Sequence, residues 1–260
     1  MTAPSRDIGP DIGLALADIV EEAARLILPL WRSGLTVDAK ADKSPVTEAD
    51  RAAERLILHR LAAVFPGVPV ISEEHASEFG APEAIGPRFF LVDPIDGTKA
   101  FVRGDPHFTV NIALIEDGRP VAGAVNCPPL GQTWFTAAAG ALRRGPEAPP
   151  APVRVRAWPK GEAVAMISHT MKTETADALA RRYGFDLRQA MDSSIKLCII
   201  AQGDADIYPR HGETMEWDIA AGHAVLAAAG GGVLTPEGEP FLYGKADKGF
   251  RNGWFVARGG

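Results

Sequence analysis

One apolar run that ends in two closely spaced acids constrains this chain more than any other segment. The run Phe89–Val92 consists of large apolar side chains, which is typical of a buried strand. It is followed by Asp93-Pro94-Ile95-Asp96-Gly97-Thr98. We expect the strand to end in a turn that presents both carboxylates, and the Ile95 carbonyl becomes a third available oxygen there.

Two aspartates held so close together repel each other unless a cation or a proton intervenes. Hard divalent cations prefer carboxylate and carbonyl oxygens of this kind. The alternative is that Asp-Pro and Asp-Gly only form a tight turn. This segment alone leaves both interpretations open.

Helical spacing dominates the start of the chain, and short strands follow it. The pattern predicts a helix from Asp11 to about Leu28 that is disturbed at Pro29, a polar loop from Asp38 to Pro45, and a helix over 47–64. Strands are predicted at Val68–Ser72, Phe89–Val92, Phe108–Ile115, Val121–Asn126 and Gln132–Ala137, with a hairpin at residues 116–118. The first part of the chain therefore predicts helices over an antiparallel sheet.

A proline-rich segment at residues 145–152 (GPEAPPAP) marks a change of pattern. Proline at this density excludes both helix and sheet interior. After it, strands and helices alternate, and the helices end near Gly184, Gly203 and Gly230. We predict a mixed α/β (α+β) fold with an N-terminal subdomain over 1–150 and a C-terminal α/β subdomain over 151–260.

Composition excludes several classes of protein. Of 260 residues, 46% are hydrophobic and 23% charged, which is ordinary for a globular chain, and the net charge of −6 disfavours a protein that mainly grips nucleic acid. Two cysteines are too few for a disulfide framework. We see no signal peptide and no apolar run of the roughly 20 residues that span a membrane. A cytoplasmic protein is expected.

Further acids occur at the ends of other predicted elements. Glu73 and Glu74 follow a short apolar run, where paired glutamates often form only a solvated edge. Asp218 opens a helix rich in small residues, where it could be an N-cap or a metal ligand, and the two roles are compatible. Asp50 lies in a T-x-x-D pattern that is typical of a capping box, but with Thr98 it could also activate a water.

Together, four carboxylates from three distant segments could hold two cations with Asp93 as the bridge; they are Glu73, Asp93, Asp96 and Asp218. No Cys/His set has zinc spacing, so we expect magnesium. Two such ions are suited to phosphoester hydrolysis. The chain lacks the G-x-x-x-x-G-K-[S/T] loop of nucleotide triphosphatases and the G-x-S-x-G elbow of serine hydrolases.

The same residues resemble the signatures of a known family. Residues 93–98 with Phe101 are similar to the D-P-[I/L]-D-G-T-x-x-F signature of the inositol monophosphatase superfamily, and Trp217–Gly222 (WDIAAG) resembles its second signature. Val46–Asp50 and Ser72–Glu74 match its two upstream motifs in order. The resemblance extends from about residue 11 to 257 and covers nearly the whole chain.

The resemblance implies an α-β-α-β-α layered fold and a lithium-sensitive phosphatase with two or three Mg²⁺ ions. By motif, the first metal would be held by Glu73, Asp93 and the Ile95 carbonyl, and the second by Asp93, Asp96 and Asp218. Asp50 and Thr98 would activate the attacking water, with Glu74 as a supporting acid. The backbone amides of Gly97 and Thr98 would contact the phosphate.

Within the superfamily, several stretches are most similar to the 3'(2'),5'-bisphosphate nucleotidases. They are residues 108–115, 193–198, 206–210 and 222–225. By resemblance, the nucleotide contacts would be His169, Ser193, Lys196 and Arg210. Lys196 and Arg210 would supply positive charge for a second phosphate in an otherwise acidic protein. A solvated Lys196 and an ordinary surface His169 remain the alternatives, and Asp192 places one more acid near this site.

We therefore expect a phosphatase that converts adenosine 3',5'-bisphosphate to AMP in sulfate assimilation. The same chemistry on inositol phosphate or histidinol phosphate, a non-catalytic phospho-ligand sensor and a calcium-binding module are the alternatives. Dispersed ligands argue against the calcium module, because calcium sites draw several ligands from one loop. The expected partner is a small phosphorylated nucleotide and no nucleic acid polymer. The chain is expected to be a monomer or homodimer, cytoplasmic or peripheral at the inner membrane.

Overall fold

The computed structural model describes residues 12–33, 37–39 and 45–260. In this part of the chain the helices are α1 (Ile12–Ser33), α2 (Glu48–Val64), α3 (Glu73–Phe79), α4 (Thr98–Arg103), α5 (Thr173–Tyr183), α6 (Ile195–Ala201) and α7 (Glu216–Ala228). The strands of the first half are β1 (Val37–Ala39), β2 (Pro45–Thr47), β3 (Val70–Ser72), β4 (Arg88–Asp96), β5 (Thr109–Glu116), β6 (Arg119–Cys127), β7 (Gln132–Ala137) and β8 (Gly140–Arg144). Those of the second half are β9 (Ala151–Val153), β10 (Val164–Ile167), β11 (Leu187–Ala190), β12 (Ile207–Arg210), β13 (Thr214–Met215), β14 (Gly232–Leu234), β15 (Arg251–Asn252) and β16 (Phe255–Arg258).

The larger sheet has seven strands in the order β3-β4-β5-β6-β7-β8-β9. All its pairs are antiparallel except β3 with β4, which run parallel. Its strand β4 is buried on both faces because alternate side chains point to opposite sides. Phe89 and Leu91 join the core beneath α6 and α7, while Phe90 and Val92 join the core beneath α1 and α2.

The smaller sheet has five strands in the order β11-β10-β12-β16-β14, of which β10, β11 and β12 are parallel. One of its faces shares the core of α6 and α7 through Met166, Tyr208 and Phe255. Its other face packs on α5 through Ala165 and Leu179. The layers are therefore helices, the larger sheet, helices, the smaller sheet and a helix, which confirms the predicted α-β-α-β-α mixed architecture.

Several predicted elements end elsewhere in the structure. Helix α1 continues through Pro29 to Ser33, so the predicted end near Leu28 is wrong. Packing explains the continuation, because Leu30 and Trp31 contact the same core, and the Trp31 ring lies 5.6 Å from that of Phe108. The predicted helix start at Asp11 and residues 40–44 of the predicted polar loop lie outside the described residues.

The predicted hairpin at residues 116–118 is confirmed, since β5 and β6 pair there in antiparallel register. The proline-rich segment is not wholly a linker, because Ala151–Val153 forms the edge strand β9 against β8. An edge strand tolerates Pro152 because one row of its backbone groups needs no partner strand. A division at residue 150 stays a proposal, and the core shared by α6, α7 and both sheets takes residues from either side of it.

No helix in the described ranges is both long and apolar enough to cross a lipid bilayer. Cys127 and Cys198 are buried free thiols, as the absence of a disulfide framework predicted.

Close packing of α7 against β6 depends on a residue without a side chain. A Cβ atom on Gly123 would lie 2.8 Å from the Ala224 Cβ and 2.9 Å from the Ala221 carbonyl oxygen. This contact matters beyond the core because α7 also carries Asp218.

We predict that Gly123→Ala lowers the free energy of unfolding by about 1–3 kcal/mol, the usual cost of overpacking a core. The matched control is Gly232→Ala, because a Cβ there would meet no atom within 4 Å. Denaturant unfolding followed by circular dichroism measures both variants. Equal stability changes in the two variants would contradict the packing argument.

Candidate active site at a bulge in the central strand

The predicted turn after the apolar run is instead a bulge inside β4. Asp93 pairs with Asn111 and Asp96 with Thr109, so three steps along β4 oppose two steps along β5. A bulge of this kind re-aims side chains while the sheet continues. It leaves Asp93 buried, with an Oδ1 atom that has no hydrogen-bond partner among the described residues.

Other acids surround Asp93. Its pKa is raised well above the usual value, first by burial and then by the charges of Glu73, Asp96, Asp218 and Asp50. These side chains come from α2, α3, β4 and α7, which are distant in the sequence. The fold therefore brings together the carboxylates that the sequence singled out.

Asp218 lies at the third position of α7 rather than at its N-cap, which is Met215. Its Oδ2 accepts a hydrogen bond of 2.8 Å from the Met215 amide, so the carboxylate does close the start of the helix. Burial, and after it the charge of Asp96, raises the Asp218 pKa to about 7. The capping interpretation and a ligand role are compatible in this position.

Asp96 is hydrogen-bonded to the segment before α6. The Ser194 amide donates to the Asp96 Oδ2 at 2.5 Å, and burial raises the pKa of Asp96. The Ser194 hydroxyl donates to the Asn111 Oδ1 at 2.8 Å, on the neighbouring strand β5. Ser193 has a left-handed backbone with φ of 57°, which is uncommon outside glycine. The turn is therefore held in a specific, strained conformation beside the bulge.

Gly97 and Thr98 begin α4 directly after the bulge. Gly97 has φ of 90°, and a Cβ there would come within 3.3 Å of the Ser193 Cβ. The Thr98 hydroxyl donates to the Ile95 carbonyl at 3.2 Å. Asp50 is buried in the first turn of α2, and the Thr47 side chain that would complete its capping box lies outside the described residues.

Residues that could hold divalent cations are the Ile95 carbonyl and the carboxylates of Glu73, Asp93, Asp96 and Asp218. Within residues 12–33, 37–39 and 45–260, no three His, Cys, Asp or Glu side chains are already arranged to hold a metal ion. Asp96 and Asp218 each accept a hydrogen bond from a backbone amide through Oδ2. The donor chemistry nevertheless fits hard cations, because every donor is an oxygen and the buried Asp93 Oδ1 lacks a partner.

A cleft of about 680 Å³ lies beside these carboxylates. Of the predicted site residues it is lined by Asp96, Gly97, Thr98, His169, Ser193, Lys196, Arg210 and Asp218. The other predicted residues of the described chain do not line it; they are Asp50, Glu73, Glu74, Asp93 and Ile95. Glu74 is buried next to Glu73 at the start of α3.

Lys196 is not the solvated residue that one interpretation expected. It is only 4% exposed, and its Nζ donates to the carbonyls of Ser193 at 2.5 Å and Met191 at 3.1 Å. Nζ also lies 5.0 Å from the centre of the Tyr208 ring. Burial lowers the Lys196 pKa to about 8. Lys196 therefore braces the Ser193 turn as well as contributing charge to the cleft.

The remaining predicted nucleotide contacts, Arg210 and His169, line the same cleft. Arg210 donates through Nη2 to the Glu213 carbonyl at 3.2 Å. The side chain of His169 is partly exposed, and its Nδ1 lies 3.4 Å from the Asp192 Oδ1.

Sequence reasoning missed Arg103, which also lines the cleft. Its Nη2 bonds to the Asp192 Oδ2 at 2.8 Å, so an ion pair connects α4 to the turn before α6. Desolvation works against ionisation of Asp192, but hydrogen bonds from Arg103 and His169 hold its pKa below the usual value. A basic residue in the last turn of the helix that follows the D-G-T motif was the available signal.

We predict that without divalent cations the protein loses stability as pH rises. The folded pKa of Asp218 is about 7 against 3.8 for the free group, so its contribution is present below pH 3.8 and is lost as pH rises towards 7. Asp218→Asn should therefore reduce the loss of unfolding free energy between low and high pH by more than about 1.4 kcal/mol, which corresponds to one pKa unit. Unfolding in chelator at pH 5 to 8 measures this.

The control for this experiment is Asp177→Asn, since Asp177 lies in an exposed ion pair with Arg188 on the far side of the smaller sheet. Magnesium added at pH 7.5 should raise the unfolding temperature of the unaltered protein by mass action. Parallel pH profiles for Asp218→Asn and the unaltered protein would contradict the charge argument.

Comparison with known proteins agrees with this geometry. The protein is 40% identical over 213 residues to the 3'(2'),5'-bisphosphate nucleotidase CysQ of Escherichia coli K12, covering 80% of this chain and 83% of that protein. It is 34% identical to CysQ of Buchnera aphidicola over 246 residues, covering 93% and 91% of the two chains.

Solved structures give the same answer. The crystal structure of CysQ from Bacteroides thetaiotaomicron, described as a bacterial member of the inositol monophosphatase family, superposes with a TM-score of 0.78 at 31% identity and covers 97% of this chain and 98% of that one. The inositol monophosphatase family model matches residues 13–254. The chain therefore belongs to the inositol monophosphatase family.

Proposed function

We infer that the protein is a 3'(2'),5'-bisphosphate nucleotidase that hydrolyses adenosine 3',5'-bisphosphate to AMP and phosphate. The observation that carries this function is the group of buried carboxylates around Asp93 beside a cleft that also contains cationic side chains. The likeness of this chain to several CysQ nucleotidases over most of its length supports the same substrate. Family membership makes it a phosphatase, whatever the preferred ester.

The cofactor we propose is Mg²⁺, with two or three ions per chain. Glu73, Asp93 and the Ile95 carbonyl would hold the first ion, and Asp93, Asp96 and Asp218 the second. Bound divalent cations would lower the pKa of the attacking water and stabilise the leaving oxygen. The unpartnered Oδ1 of Asp93 supports its role as the shared ligand.

The chain's own groups would then orient the reaction. Asp50 and Thr98 would together orient and deprotonate the attacking water. The Thr98 hydroxyl would accept the water's proton and pass its own proton to Asp50, giving up the hydrogen bond that it now donates to the Ile95 carbonyl. Glu74 would support this transfer from its buried position on α3. The Gly97 and Thr98 amides would hold the phosphate in line for attack, a step that depends on orientation.

The nucleotide would lie along the cleft towards the smaller sheet. We propose contacts from His169, Ser193, Lys196 and Arg210, all of which line the cleft. Lys196 would act partly through the Ser193 turn, whose carbonyl it binds. The charge of Arg210 would favour an anionic substrate, and in the part of the chain that the structure describes its buried Nε has no hydrogen-bond partner.

A phosphomonoesterase acting on inositol phosphate or histidinol phosphate is the second candidate function. It is favoured by the likeness to an inositol monophosphatase from Thermotoga maritima, which superposes with a TM-score of 0.74 at 25% identity. A non-catalytic phospho-ligand sensor is disfavoured, because every residue of the proposed catalytic set is present. We further propose a cytoplasmic monomer or homodimer with lithium sensitivity and a role in clearing the by-product of sulfate assimilation.

We predict that the unaltered protein releases phosphate from adenosine 3',5'-bisphosphate with Mg²⁺, and that chelator or Li⁺ suppresses release. Asp93→Asn should lower kcat by at least about 10²–10³-fold, because it removes a charge central to the electrostatics of the site. A phosphate assay with purified folded protein measures both effects. Asp177→Asn serves as the control carboxylate, since Asp177 lies outside the cleft.

Substrate choice is tested by a panel that includes inositol 1-phosphate and histidinol phosphate. A higher kcat/KM for either of these than for the bisphosphate would replace the proposed substrate. Near-normal turnover by folded Asp93→Asn would contradict the metal assignment. Tight ligand binding without turnover on any ester would favour the sensor.

A further inference from the structure

A nucleoside 3',5'-bisphosphate carries one phosphate that reacts and one that stays, and the second needs a cation of its own. The cations that line the cleft in the described part of the chain are Lys99, Arg103, Lys196 and Arg210, together with His169 when it is protonated. Lys196 is buried and bonded to two carbonyls, whereas the Arg103 side chain, which lines the same cleft, is 54% exposed. Exposure makes Arg103 the more accessible donor.

The short helix α4 determines the position of Arg103 relative to Thr98. Thr98 begins this helix next to the bulge, and Arg103 ends it. At 1.5 Å per residue, the two backbones are about 8 Å apart along the helix axis. Both residues line the same cleft. A phosphate at Thr98 and a second one at Arg103 would thus be bound by opposite ends of one short helix.

Asp192 orients the guanidinium of Arg103 and leaves some of the N–H donors of Arg103 unused. The Nη2 of Arg103 lies 2.8 Å from the Asp192 Oδ2 and 4.0 Å from the Asp105 Oδ2. Within the described residues, the Nε and Nη1 groups of Arg103 make no hydrogen bond. A guanidinium has five N–H donors in a planar fork that matches phosphate oxygens. Each acid also has a histidine neighbour, His169 for Asp192 and His107 for Asp105.

We propose that Arg103 is the specificity-determining residue that binds the phosphate that is not cleaved, with Asp192 as its positioning residue. The inference rests on the proposed nucleotidase function. It gives Asp192 a role, since this acid would otherwise repel an anionic substrate. It also assigns the second phosphate to Arg103 on α4, rather than to Lys196 and Arg210 as the resemblance implied.

The test compares adenosine 3',5'-bisphosphate with adenosine 3'-monophosphate, which lacks the retained phosphate. Arg103→Ala should lower kcat/KM for the bisphosphate about 10- to 100-fold, the range for one charge-assisted phosphate contact. The loss on the monophosphate should stay below about 3-fold. Arg103→Lys should recover part of the difference, because it keeps the charge and loses the planar fork.

Two variants serve as matched controls. Arg60→Ala removes an arginine of similar exposure, 43%, from an ion pair with Glu22 at 2.9 Å outside the cleft, and it should not separate the two substrates. Lys99→Ala removes the cleft cation next to Thr98 at the reacting end, and it should affect both substrates alike. A binding readout independent of turnover is calorimetry with AMP, which carries the retained phosphate. Arg103→Ala should weaken AMP binding at least 10-fold and adenosine binding little.

Each outcome decides the matter. Equal losses on both substrates in Arg103→Ala, no loss on either, or a selective loss in Lys99→Ala alone would overturn the assignment while leaving the nucleotidase function intact. Failure of the unaltered protein to hydrolyse the bisphosphate would instead overturn the proposed function, and this inference with it. Circular dichroism and unfolding of Arg103→Ala separate a folding defect from lost recognition. A folded Arg103→Ala protein that binds AMP as tightly as the unaltered protein also counts against the proposal.

Discussion

Mutual repulsion among buried carboxylates is the constraint on which the rest of this structure depends. Asp93 has almost no contact with solvent, and four other acids add their charges to the cost of its burial. Charges of one sign are rarely gathered in a low-dielectric interior without compensation. The surrounding fold must therefore be rigid enough to hold them together, and the packing of α7 on Gly123 and of β4 between two cores supplies that rigidity.

Much of this arrangement was predictable from short-range patterns. The apolar run before Asp93, the hairpin at 116–118 and the helix over Glu48–Val64 follow from periodicity and turn residues. The carboxylates could be chosen because acids at the ends of apolar elements are chemically conspicuous. Family resemblance added the order of layers, which periodicity alone did not provide.

Other features depended on contacts that no local pattern encodes. The low helix propensity of proline predicts that α1 ends near Pro29. The helix nevertheless continues to Ser33, because Leu30 and Trp31 pack against the core. The bulge in β4 replaces a predicted turn because β5 continues to pair on the far side of Pro94. The sequence does not show whether Lys196 is solvated or buried. In the structure it is buried, and the carbonyls of Met191 and Ser193 accept its hydrogen bonds. The pair Arg103–Asp192 joins residues 89 positions apart, beyond the reach of spacing arguments.

The shared core of α6 and α7 has a consequence for how new substrates could arise in such a scaffold. The acids that we propose for the chemistry lie mostly on α2, α3 and β4, whereas the proposed nucleotide contacts His169, Lys196 and Arg210 come from the segments around the smaller sheet. Exchanges in those latter segments would alter the part of the cleft proposed for the organic half of a ligand, while the carboxylates proposed for the cations stay unchanged. Helix α7, which carries Asp218 and contacts both sheets, couples the two halves, so diversification should spare it.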